Sequence, residues 1–146
     1  MIRTRMLAVL AAVLVAVGFG TTIAMGKSSA TKTFGATLNT AQEVPKETGA
    51  PASAGGKFSA TLSGTTLKWT LTFSHLTGKA SAAHIHLGAK GKAGNVIVAL
   101  CGPCKSPMSG SAKITSAVIK EMNAGKTYVN VHTAKNPNGE IRGQVS

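Results

Sequence analysis

The sequence predicts an all-β domain, an antiparallel, Greek-key-like β-sandwich of about eight strands with one short helix. Apolar and polar residues alternate in short runs, most cleanly where Leu67, Trp69, Leu71 and Phe73 interleave with Lys68, Thr70, Thr72 and Ser74. That period belongs to strands buried on one face. Turn-forming Gly, Pro, Asn and Ser clusters separate the runs at the spacing of a sandwich. One segment alone, Ser116 to Asn123, carries helical character.

In chain order, Thr31 to Leu38 reads as the first strand, followed by a loop holding Glu43, Pro45 and Pro51. Lys57 to Leu62 alternates and stops at Ser63-Gly64, and the Trp69 strand follows. Ala80 to Leu87 is next, then a Gly/Lys-rich turn and a strand from Asn95 to Leu100. Cys101 to Pro107 reads as a loop and Ser111 to Ile114 as a short strand. Thr115 or Ser116 can cap the helix start, and Gly125 suits its end. Lys126 to Thr133 and Glu140 to Val145 close the chain as a hairpin around Asn136-Pro137-Asn138-Gly139. No internal repeat is present.

Residues 1–30 read as a secretory signal peptide and 31–146 as the domain. Arg3 and Arg5 precede an apolar run from Met6 to Phe19, and small residues allow cleavage after Ala24 or Ala30. The run is shorter than the ~18 residues of a membrane span, so no transmembrane anchor is expected after cleavage. The expected location is secreted or extracytoplasmic, at the cell envelope.

The formal charge is +12, and outside the leader it is lysine except for Arg142. These lysines are dispersed and aromatics are scarce, whereas nucleic-acid binding calls for a basic stripe, arginine forks or stacking platforms. Nucleic acid is therefore a disfavoured partner. An anionic cell-envelope polymer or a protein remains open, alongside lysine serving solubility alone.

The chemistry concentrates in three histidines. In AAHIHLG, His84 and His86 share one strand face while Ala83, Ile85 and Leu87 share the other. In YVNVHT, Val129 and Val131 face the core, leaving Tyr128, Asn130 and His132 opposite. All three imidazoles thus fall on outer faces. Same-face neighbours on a strand lie ~6.5–7 Å apart, close enough for two imidazoles to reach one ion. Neutral imidazole suits copper, zinc or nickel. The chain has no aspartate and only four glutamates, which disfavours calcium and magnesium cages. The bland alternative is three solvent-facing, hydrogen-bonded histidines. His75 is in register with Phe73, Leu71 and Trp69, and drops out on parity.

Around this set, hairpin parity puts Glu140 near His132 and Arg142 near Asn130. Glu140 can orient a ligand histidine and Arg142 can hold an anion near the metal; the alternative is a surface ion pair of little worth. Cys101 and Cys104 form a CGPC sequence. Pro107 and the β surroundings argue against a thioredoxin-like helix start, and a loop disulfide is the favoured reading. As reduced thiols they could bind Cu(I) together with Met108. Without aspartate or a nucleophile elbow, hydrolase chemistry has little support.

The segments AQEVP (Ala41 to Pro45), SAGGKFSATL (Ser53 to Leu62), AAHIHLG (Ala82 to Gly88) and YVNVHTAKNPNGEIRGQV (Tyr128 to Val145) occur in this order. Together they resemble the chordin-type, or CHRD, domain family. The resemblance implies an exported β-sandwich, found in bacterial proteins and in chordin, a protein that captures growth factors. A looser similarity is to copper–zinc superoxide dismutase, which pairs an HxH strand with a late strand bearing another copper-ligand histidine. The expectation is an exported binding module holding copper, with zinc less favoured, on His84, His86 and His132 for metal handling or redox defence. The alternatives are a metal-free cell-envelope or protein-interaction domain and a copper-only, dismutase-like enzyme.

Overall fold

A computed structural model describes residues 30–47 and 49–146. The expected signal peptide lies outside the described residues apart from Ala30. The strands are β1 (Lys32–Asn39), β2 (Gly55–Ser63), β3 (Thr66–Ser74), β4 (Ala80–Leu87), β5 (Val96–Cys101), β6 (Met108–Lys113), β7 (Thr127–Thr133) and β8 (Ile141–Gln144). One helix, α1, spans Ser116–Asn123.

All strand pairings are antiparallel, in the order β5-β4-β7-β8-β1-β2-β3-β6. This sheet folds over into two four-stranded layers. The layers join where β8 meets β1 at Arg142 opposite Asn39, extended by reciprocal backbone bonds between Gly35 and Ser146. Between them lies one core. Phe34, Phe58, Trp69 and Leu71 come from one layer, and Ile85, Val98, Val129, Val131 and Ile141 from the other. The expected eight-stranded architecture with one helix is present.

Local chemistry sets the boundaries. Alternation in β3 translates directly into burial, with Leu67, Trp69 and Leu71 inside and Lys68, Thr70 and Thr72 outside. The Thr115 hydroxyl accepts from Val118 N at 3.3 Å and caps α1, and Met122 anchors the helix in the core. Gly125, at φ 65°, ends it while Gly125 N and Lys126 N reach back to the Met122 and Glu121 carbonyls.

β6 starts at Met108, earlier than its small residues suggest, because pairing with β3 from Leu71 to Thr66 recruits the segment. Local propensity is weak there and the neighbouring strand decides.

β7 departs most from a half-buried strand, since all seven of its residues are buried. Loops cover its outer face. Arg142 donates from Nη2 to the Lys92 and Ala89 carbonyls at 2.8 and 3.3 Å, drawing in the β4–β5 loop. Asn136 and Pro137 draw in the β7–β8 loop. The outer face therefore forms a second, polar interior.

Candidate metal centre

β4 and β7 are neighbours, with Ala82 opposite His132, His84 opposite Asn130 and His86 opposite Tyr128. His132 thus sits diagonally across from His84, and the three imidazoles share one face. His84 Nδ1 lies 3.1 Å from His132 Nε2. Ring centroids are separated by 5.0 Å for His84–His132, 5.7 Å for His84–His86 and 5.8 Å for His86–His132. One nitrogen from each falls within 4.8 Å of the others.

Two of the rings have assigned hydrogen-bonding ends. His86 Nδ1 lies 3.0 Å from the Gly94 carbonyl, and His132 Nδ1 lies 3.0 Å from the Pro137 carbonyl. A carbonyl only accepts, so each Nδ1 carries the proton and each Nε2 keeps its lone pair. Gly94 can approach so closely because it lacks a side chain; a Cβ there would lie 1.7 Å from the Leu87 carbonyl oxygen. Tyr128 Oη also donates to the Gly94 carbonyl at 3.3 Å and accepts from Gly94 N at 3.1 Å, which steadies the loop.

The electrostatics favour neutral rings. Burial pushes all three imidazole pKa values down, His132 to about 4, against the raising effect of the carbonyl bonds on His86 and His132. Mutual repulsion with His86 adds to the shift of His84 and His132. Neutral imidazole is the form that ligates metal. His86 Nε2 is buried without a hydrogen-bond partner, a cost that coordination would remove. These residues fit a borderline transition metal. Bonds of about 2.0–2.1 Å place neighbouring nitrogens roughly 3.3–3.6 Å apart, so a modest inward rotation of the rings completes the set. His84, the most exposed of the three, leaves an accessible side.

The family model for the CHRD domain matches residues 34–145. The chain belongs to the CHRD-domain family. No curated protein and no solved structure matches it. Family membership points to a binding module. None of the described helices is long and apolar enough to cross a membrane.

Several expected neighbours of the histidines take other roles in this CHRD domain. Glu140, expected to orient His132, instead accepts from Thr77 N, Thr77 Oγ1 and Thr133 Oγ1, each at 2.6 Å, and from Asn136 Nδ2 at 2.9 Å. Burial pushes its pKa up, and the bonds from Thr133, Thr77 and Asn136 outweigh that and hold it low. The carbonyl of Pro137 orients His132 in its place. Glu140 and Arg142 form no surface ion pair, for both are buried and Arg142 turns onto the Tyr128 ring, 3.5 Å from its centroid.

Asn130 does lie opposite Arg142, but its amide serves Glu43 and the Ile141 carbonyl. Cys101 and Cys104 form the favoured disulfide, which removes both thiolates from the proposed Cu(I) set. Met108, the third member of that set, begins β6 and packs against the core. His75 is exposed beyond β3, with Nδ1 bonded to Ser74 Oγ.

The three histidines are hydrogen-bonded, as the alternative reading had it, but His86 and His132 do not face solvent, being each only 8% exposed. Sequence reasoning assigned no role to Tyr128, which stacks on His86 at 4.9 Å with planes 12° apart. The β4–β7 register would have revealed it, and strand parity alone does not supply register.

Proposed function

We propose that this CHRD domain is an exported metal-binding module that holds copper on His84, His86 and His132 and serves metal handling or redox defence. The observation that carries the reading is the convergence of three neutral imidazoles, with His86 Nε2 buried and unpartnered. Carbonyl bonds to His86 and His132 leave the ligating nitrogens unprotonated. An all-nitrogen set without a carboxylate suits copper first and zinc second. The Arg3/Arg5 leader and the Cys101–Cys104 disulfide support export into an oxidising compartment.

A copper-only, dismutase-like enzyme would use the same three ligands and the open side at His84. A superoxide-consumption assay on copper-loaded protein separates it from a carrier. Titration of the purified protein with Cu(II), Cu(I) and Zn(II) tests the site itself. One equivalent should bind, and His86→Ala should abolish binding without unfolding the domain. Unchanged binding by that variant would remove the ligand assignment.

A second reading, a cell-envelope contact, draws on the other layer. Its outer face sets Lys57 and Lys68 among exposed Ser59, Thr61, Thr70 and Thr72. Salt-sensitive retention on an anionic polymer, lost in Lys57→Glu/Lys68→Glu, would favour it.

A further inference from the structure

Behind Tyr128, on the side away from His86, lies a second polar centre. Arg142 is 2% exposed, and its Nη2 is spent on the Lys92 and Ala89 carbonyls. Its Nη1 is buried without a partner. Arg142 lines a cleft of about 170 Å³ together with Glu43, Ala41, Val44 and Lys90. Glu43 is 6% exposed, and its Oε1 accepts from Asn130 Nδ2.

The other polar groups there are committed. Gln144 Nε2 donates to the Gly88, Gly125 and Thr127 carbonyls, and Asn130 Nδ2 to Glu43 and Ile141. The guanidinium is thus a buried cation whose hydrogen-bond acceptors are neutral carbonyls, compensated further only by the Tyr128 ring face and, when it is ionised, by the nearby Glu43 carboxylate. A buried cation in that state favours an anion.

We propose that this cleft binds a small monocarboxylate, one ligand oxygen accepting from Arg142 Nη1 and the other meeting the Glu43 carboxyl. Arg142 and Glu43 line the same cleft, two partners for the two oxygens of a carboxylate. A phosphate or sulfate carries more oxygens than these two partners serve, and Ala41 and Val44 on the cleft wall offer no side-chain donor. The exposed Lys90 at the rim adds attraction at longer range.

Glu43 suits the role of proton-bearing partner. Burial pushes its pKa up to about 7, with Glu47 adding to the rise and Asn130, Arg142 and the Val44 backbone opposing it. Protonated, it donates to the ligand; ionised, it repels. The site requires no metal.

The test is calorimetric and NMR titration of the metal-free protein with acetate and propionate, with inorganic phosphate and chloride at matched ionic strength. Saturable carboxylate binding is expected, with phosphate and chloride weaker. Arg142→Gln should weaken it roughly tenfold or more, the scale of a charge-assisted hydrogen bond. Ala41→Trp should block the cleft while leaving Arg142 and its loop bonds in place, which guards against loss through misfolding. Glu43→Gln should tighten acetate binding at pH 8, where the native carboxyl is ionised. His132→Ala should leave it unchanged. The proposal is overturned if acetate fails to saturate, if binding survives both Arg142→Gln and Ala41→Trp, or if Glu43→Gln weakens it at pH 8. It is equally overturned if acetate binds only to metal-loaded protein, since the ligand would then sit at the histidines.

Discussion

His84 Nδ1 and His132 Nε2 lie 3.1 Å apart although 48 positions separate the two residues in the chain. The His132 Nδ1 proton is committed to Pro137, so His84 must supply the proton between them. A metal ion would replace that proton, and the displaced hydrogen moves to the outer nitrogen of His84. Binding to the neutral cluster therefore needs a tautomer change and no net proton release at neutral pH.

Metal should stabilise the fold by mass action. At a free concentration one hundredfold above Kd, Cu(II) is expected to add about 2.7 kcal/mol to unfolding. Differential scanning calorimetry should show a higher Tm, reversed by chelator and absent in His86→Ala. An equal rise in that variant would mean that the ion binds elsewhere.

The metal-free protein should lose stability on acidification. Burial lowers the folded-state pKa of His132 to about 4, below the ~6.5 of an unfolded histidine. The unfolded chain therefore takes up protons first, and stability present above pH ~6.5 is lost as pH falls toward 4. The loss from this residue is on the order of 2 kcal/mol, reduced from the full shift by solvent reaching the His84 side. Urea midpoints for His132→Asn should fall less between pH 7.5 and 5 than those of the native chain.

Glu140 should behave in fold stability as a buried anchor. Glu140→Ala leaves four hydrogen-bonding contacts from Thr77, Thr133 and Asn136 without their acceptor, a loss of roughly 3 kcal/mol. The folded carboxyl pKa is held down, so its contribution is present above the unfolded value and lost as pH falls through the folded one. The difference in urea midpoint between native and variant should be large at pH 7 and shrink in acid.

Cys101→Ser/Cys104→Ser should cost about 2 kcal/mol, as expected for so short a closed loop. Copper stoichiometry should stay the same, since the sulfurs are bonded to each other and lie outside the histidine cluster. Reduced copper binding in this variant would restore the sulfurs to the ligand set.

Alternation made the β-architecture legible, and in β3 every inward residue from Leu67 to Leu71 is where parity places it. The helix Ser116–Asn123 was legible from its cap and its terminal glycine. Parity also put His84, His86 and His132 on one side of their strands. It did not disclose what stands over them. The cover depends on the bonds from Arg142 to Lys92 and from His86 to Gly94, whose partners carry no side-chain signature because they are backbone carbonyls. The hairpin register does set Glu140 beside His132, but its partners were not legible: just before β8 its carboxylate is taken by two hydroxyls and an amide, from Thr77, Thr133 and Asn136.

The seven enclosed residues of β7 have an evolutionary corollary. If His132 holds an ion, selection for folding and selection for ligand capture fall on the same short stretch. A relative without an ion would still need Val129 and Val131 in the core, and a group of imidazole's volume at position 132. Divergence among such domains should therefore appear as like-sized replacements at positions 84, 86 and 132 within an unaltered strand, and that pattern would separate lineages that carry the ion from those that keep only the scaffold.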